Sequence, residues 1–269
     1  MKLPKMISDS TVTTYTLHYP TGRVRQGESA SPCAVVPALL YIATTDDAYN
    51  TSVRAALNAL AGNTVNALTY TETGSLWWKK IQVGLGAGAV AAAAIAPHGM
   101  GLLTRIIQNN NSVYIYPGNV NRAAPQQRYL GLESAVDAMN RASTPGNGSD
   151  ADVYIDATTL NGQEQTTTYD ANTGQAQRQN TPDAVIIGHE LIHADRFTKG
   201  RGGFDNQGHL ILGSYLRAST NRDQALVEEE IYTVGLTPSG NTIVNPDPSS
   251  TTEQQIRAEH NQLPRDNYP

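Results

Sequence analysis

The chain has one cysteine, Cys33, so no disulfide can form within it. The fold must rest on packing, with a metal as the remaining kind of staple; Cys33 itself reads as an incidental thiol. No Lys/Arg block is longer than Lys79-Lys80, and the formal net charge is −5. Nothing here grips a phosphate backbone, and no nucleic-acid partner is expected. The opening stretch MKLPKMISDSTVTTYTLHYP lacks an apolar core behind its lysines, which argues against a secretory signal peptide and export by the general secretory route. Long apolar runs are also missing. The one membrane candidate is IQVGLGAGAVAAAAIA, residues 81 to 96, which is short and gains little insertion energy from glycine and alanine. It reads as a buried, tightly packed helix or hairpin, and no membrane partner is expected. Neither a repeat nor a heptad pattern occurs.

What remains is a chain of 269 residues, long enough to bury a substantial core. Residues 1 to 50 are rich in Ser, Thr and Pro and read as a flexible leader that ends in an apolar patch, CAVVPALLYIA. Val53, Leu57 and Leu60 then share one helix face, which places the start of the folded domain, 51–269, at that point. SVYIYPG (112 to 118) and ADVYIDATTL (151 to 160) predict strands. Between them, YLGLESAVDAMNRA (129 to 142) predicts a helix, stopped by STPGNGSD. The polar residues 161 to 181 predict an exposed loop or hairpin.

Thr181-Pro182-Asp183 predicts a helix start, with a capping hydroxyl, a proline in the first turn and an acid near the positive end of the dipole. The helix from Pro182 to about Phe197 carries IIGHELIHADR. On it, His189 and His193 stand one turn apart, so that two imidazoles can converge on one zinc ion. Glu190 lies beside them, where a carboxylate can take a proton from metal-activated water. Ala184, Val185, Ile186, Ile187, Leu191, Ile192 and Ala194 make the helix apolar nearly all round, which assigns it to the core. Histidines and a glutamate buried there demand partners or a metal.

A hydrolytic zinc site needs a third protein ligand and an open position. Position 199 is Lys199 rather than histidine, which excludes the metzincin solution. Asp205 or His209, in a Gly-rich stretch, could complete the set. So could Glu230 in QALVEEEIYTVGL (224 to 236), which as a helix places Leu226, Val227, Ile231 and Val234 around Glu230 and turns Glu228 outward.

HELIH is followed by Glu-Glu-Ile-Tyr-Thr-Val-Gly, whose second glutamate lies 37 positions after His193. This resembles the light chains of clostridial neurotoxins, and still more the NleD-like and HopH/XopG-like metallopeptidases that bacteria deliver by type III secretion. The resemblance covers roughly residues 110 to 269. It implies an α+β, zincin-like gluzincin fold, with a small mixed sheet over the HExxH helix and an edge strand, read as DVYIDAT, for extended substrate. It makes His189, His193 and Glu230 the ligands of a Zn2+ cofactor, Glu190 the general base, and Glu229 the residue that orients a ligand. The Arg-x-x-Tyr pair of the neurotoxin light chains falls on Arg265 and Tyr268 in LPRDNYP, as oxyanion donors. The family also implies a secreted virulence effector in the host-cell cytoplasm that cleaves a host protein, MAP-kinase-type signalling proteins first, with a secretion chaperone at the leader. A toxin domain aimed at bacterial rivals, or a zinc-stapled binding protein without catalysis, are the other readings.

Overall fold

Leu40 and Ile42 alternate with Tyr41 and Ala43 in a four-residue strand, β1 (Leu40–Ala43), and the same period of two recurs in the strands beside it. The computed structural model describes residues 39–74, 79–127, 133–240 and 250–266, all within one compact unit, Val36–Pro269. The further strands are β2 (Leu68–Thr73), β3 (Lys80–Leu85), β4 (Val113–Pro117), β5 (Arg122–Pro125), β6 (Ala151–Ile155), β7 (Gln165–Asp170), β8 (Gln175–Asn180), β9 (Leu212–Arg217) and β10 (Arg222–Val227). The helices are α1 (Asp47–Leu60), α2 (Ala89–Ile95), α3 (Pro97–Ile107), α4 (Ala135–Ala142), α5 (Asp183–Thr198), α6 (Glu228–Val234) and α7 (Glu253–Glu259).

A mixed six-stranded sheet runs β2-β3-β1-β4-β6-β5, and β7/β8 and β9/β10 form separate hairpins. β1, β4 and β6 are parallel neighbours, while β3 and β5 pair antiparallel with β1 and β6. Leu40, Ile42, Val113, Ile115, Val153 and Ile155 put the buried face of the sheet into the core. On the opposite face, Tyr41, Tyr114, Tyr116 and Tyr154 stack in a row with ring centroids 5.1 to 6.3 Å apart. α1 is capped by Asp46, whose carboxylate accepts from the backbone of Ala48 and Tyr49. It buries Val53, Leu57 and Leu60, as their spacing predicts.

α5 runs through the middle of this assembly, against α1, α3, α7, β5 and β6. Every residue from Ala184 to Thr198 is buried, as an all-round apolar helix requires. Gly188 allows α7 to approach: a Cβ there would meet Ile256 Cδ1 at 2.8 Å.

Several sequence expectations are corrected. Folded structure begins ahead of residue 51, because β1 lies inside the sheet between β3 and β4; four residues beside a proline-containing run are too short to show a period. DVYIDAT is not an edge: β6 has neighbours on both sides, and the edge is β5, Arg-Ala-Ala-Pro, whose composition has no alternating pattern. Residues 81 to 96 split into β3 and the short α2. Of α2 only Ala92 is buried, with Val90 and Ile95 exposed, so the segment is not a buried helix. Among the described residues no helix is long and apolar enough to cross a membrane. Residues 224 to 227 are strand, with α6 starting at Glu228. Thr181 does not cap α5; its hydroxyl bonds that of Thr166, and Pro182 holds the cap position.

Candidate metal and active site

One turn of α5 separates His189 from His193, and their Nε2 atoms lie 3.2 Å apart. Glu230 arrives from α6, delivered by the β9/β10 hairpin that ends one residue before that helix. Its Oε2 is 3.3 Å from His189 Nε2, and its Oε1 is 3.2 Å from His193 Nε2. A tetrahedral zinc with bonds of 2.0–2.1 Å separates its ligand atoms by about 3.3 Å; the two Nε2 atoms are at that separation, and the Glu230 carboxylate turns one oxygen to each ring, so one ligand atom from each residue can gather on a single ion. The donor set, two imidazoles and a carboxylate, is the borderline-soft kind that zinc takes. Among the described residues no other His/Cys/Asp/Glu group comes together in this way. Asp205 and His209 pair with each other on an exposed turn and do not join the cluster.

Both imidazoles are oriented from behind. His193 Nδ1 lies 3.1 Å from Glu229 Oε1 and 3.1 Å from the Thr233 hydroxyl; His189 Nδ1 lies 2.8 Å from Glu253 Oε2. A carboxylate behind each ring selects the Nδ1–H tautomer and turns Nε2 toward the metal position. Glu229, which the sequence reading expects to orient a ligand, is the acid behind His193. It also takes Arg196 Nε at 2.9 Å, Arg196 Nη2 at 3.1 Å and the Gly203 amide at 2.7 Å. Burial alone would raise its pKa, but the Arg196 charge and the His193 bond hold it below the usual range. Glu228, expected outside, is buried: α6 is so short that all three acids of Glu228–Glu230 fall in its first turn.

Glu253 is the site residue that sequence reasoning missed. It is the first residue of α7, after the Thr252 cap, and it gathers His189 Nδ1, Arg257 Nε and Arg265 Nη1 on one buried carboxylate. The structure shows a Thr252–Gln255 capping box at the start of α7, but nothing local marks the acid as a partner of a histidine 64 positions earlier. Arg265 is fixed in turn by two bonds with the Gln254 side chain and by an isolated bridge to Thr168. It lines the same cavity as His189 and Glu190. Tyr268 lies outside the described residues.

Glu190 is buried beside the two rings. Burial pushes its pKa up, with the neighbouring histidines pulling the other way. His189 is also shifted: burial opposes protonation, but the bonds to Glu230 and Glu253 outweigh it and raise the pKa to about 9. His193 is raised too, with burial opposed by Glu230 and Glu229. A folded-state pKa above the unfolded value means that protonation stabilises the metal-free fold. For His189 that contribution is complete below about pH 6.5 and disappears as the pH rises through about 9. Zinc binding requires the neutral rings and must expel these protons. Chelator-treated protein is therefore expected to melt at lower temperature at pH 9 than at pH 6.5, while zinc affinity increases over the same interval. Thermal melts and zinc titrations at both pH values check this; metal affinity flat with pH would count against the assignment.

Residues 88–268 match the Peptidase_M91 family model, described as an effector protein. No curated protein matches the chain. Among solved structures, the chain is similar to the light chain of botulinum neurotoxin serotype HA at 13% identity and a TM-score of 0.32, over 80% of this chain and 50% of that one. The chain thus spans half the length of that structure.

Proposed function

Because the chain belongs to the Peptidase_M91 effector family, we propose that it is a zinc-dependent endopeptidase of the gluzincin type that cuts a protein inside a host cell. The observation that carries this reading is the convergence of His189 Nε2, His193 Nε2 and the Glu230 carboxylate, whose two oxygens lie 3.3 and 3.2 Å from the two rings, beside the buried carboxylate of Glu190. When bound, zinc would supply Lewis acidity and an activated water. Glu190 takes the proton released in the attack on the scissile carbonyl and returns it to the leaving amine. Burial raises its pKa, which makes it a better proton acceptor than an exposed carboxylate. Arg265, braced by Glu253 and Gln254, offers a cation to the developing oxyanion, and Tyr268 offers a phenol in the same role. β5, the edge of the sheet next to α5, offers its backbone to an extended substrate.

The effector family supports secretion and a host protein substrate. Delivery by type III secretion, with a chaperone on the leader, and a MAP-kinase-type signalling protein as target are the forms we would test first. The purified protein should hold one equivalent of zinc and cut a protein in host-cell lysate. A chelator should abolish cutting, and added zinc should restore it. Stoichiometric zinc with an untouched lysate would instead favour a zinc-stapled binding protein.

A further inference from the structure

Asp266 is 1% exposed, and donors converge on its carboxylate. Oδ1 accepts from the Ser219 amide at 2.9 Å; Oδ2 accepts from the Ser219 hydroxyl at 2.7 Å and from Arg217 Nε at 2.8 Å. Both partners belong to the β9/β10 hairpin, Arg217 ending β9 and Ser219 lying in the turn. On its other side the same stretch of chain is tied to β7: the Tyr169 amide donates to the Pro264 carbonyl at 2.9 Å, and the Asp266 amide to the Thr167 carbonyl at 3.1 Å. Residues 264 to 266 thus form an extended segment between two hairpins. Neighbouring side chains of an extended segment point to opposite sides. Arg265 turns inward, where Nη1 donates to Glu253 Oε2 at 3.0 Å, and Asp266 turns toward the hairpin.

Apolar packing does not explain a buried acid here. A cavity of 120 Å³ is lined by Leu216 and Ala218 of the hairpin and by Pro264, Arg265 and Asp266, so apolar contact leaves a gap where the segment meets the hairpin. Charge-assisted bonds to Asp266 join the two instead. An oxyanion donor acts when it is held about 2.7–3.1 Å from the developing charge, and a misplacement of about 1 Å costs about 10²-fold in rate. The long Arg265 side chain meets that demand only from a fixed backbone. We infer that Asp266 is a positioning residue for the cleavage step: by locking this segment to the β9/β10 turn, it fixes the backbone from which Arg265 reaches the oxyanion. Glu253 and Gln254 hold Arg265 from α7. Asp266 supplies the hold from the hairpin, whose other end leads into α6 and Glu230. One hairpin thereby sets the place of both the carboxylate ligand and the oxyanion donor.

The kinetic test rests on the peptidase reading. Asp266→Asn, Arg265→Ala and the double variant are compared with wild type as zinc-loaded proteins on one cleaved peptide. Asp266→Asn is expected to lower kcat by about 10–100-fold, with KM within about twofold and zinc at wild-type stoichiometry, the pattern of a contact made only in the transition state. In the Arg265→Ala background the same substitution should change kcat by less than about twofold, because the group it places is gone. Losses that multiply in the double variant, or a wild-type kcat in Asp266→Asn, would overturn the assignment and leave the peptidase reading intact. Ser219→Ala removes one hydroxyl from a half-buried turn residue and decides the matter if Asp266→Asn does not hold zinc. Its kcat should fall by about three- to tenfold, again only where Arg265 is present; an unchanged kcat, or a loss that persists without Arg265, would overturn the assignment. If wild type cuts nothing, the peptidase reading fails by itself, and hydrogen exchange of the Arg265 guanidinium, assigned by NMR against Arg265→Ala, decides on Asp266. Exchange at least about tenfold faster in Ser219→Ala than in wild type upholds the positioning role, and equal exchange overturns it.

Discussion

Glu190→Gln is expected to lower kcat/KM by about 10²–10⁴-fold while leaving zinc bound at wild-type stoichiometry. The carboxamide has nearly the shape of the carboxylate, so the buried position beside His189 and His193 stays filled and no cavity cost arises. What is lost is the capacity to accept a proton and return it. Glu190 is absent from the cluster that could hold the metal, so metal and activity should separate cleanly. The comparison is made with a cleaved peptide and metal analysis on the same preparations. Activity within a fewfold of wild type would transfer the base role to another group.

Glu230→Ala is expected to abolish zinc retention through gel filtration, while Asp205→Ala keeps it. Glu230 supplies the carboxylate of the cluster, so its removal leaves two imidazoles, fewer than any catalytic zinc site uses. The stability readout is independent of activity. Zinc at a thousandfold excess over its Kd stabilises a folded protein by about 4 kcal/mol. That shift should appear in wild type and Asp205→Ala and vanish in Glu230→Ala. The reverse pattern would move the third ligand to the exposed Asp205–His209 turn.

Residues whose surroundings are local in sequence were legible, and those whose surroundings are made by docking were not. The apolar flanks of α5 announced a core helix, and four-residue spacing put His189 and His193 on one side of it. Glu230 was found through its apolar neighbours, although part of the helix assumed for it is β10. Arg196 behind Glu229, and Arg257 behind Glu253, came from nowhere in the pattern. Their roles exist only once α6 and α7 pack on α5, and buried arginines look like surface charges in a sequence. β5 escaped for a different reason: two alanines and a proline carry no signal of an edge, yet this strand is the edge of the sheet beside α5.

The most direct measurement is anomalous diffraction at the zinc edge from crystals of the zinc-loaded protein. One strong peak is expected within about 2.0–2.2 Å of His189 Nε2, His193 Nε2 and a carboxylate oxygen of Glu230, with none at Asp205 or His209. A peak on the Asp205–His209 turn, or peptidase activity in a protein with no metal between the two histidines, would contradict the account.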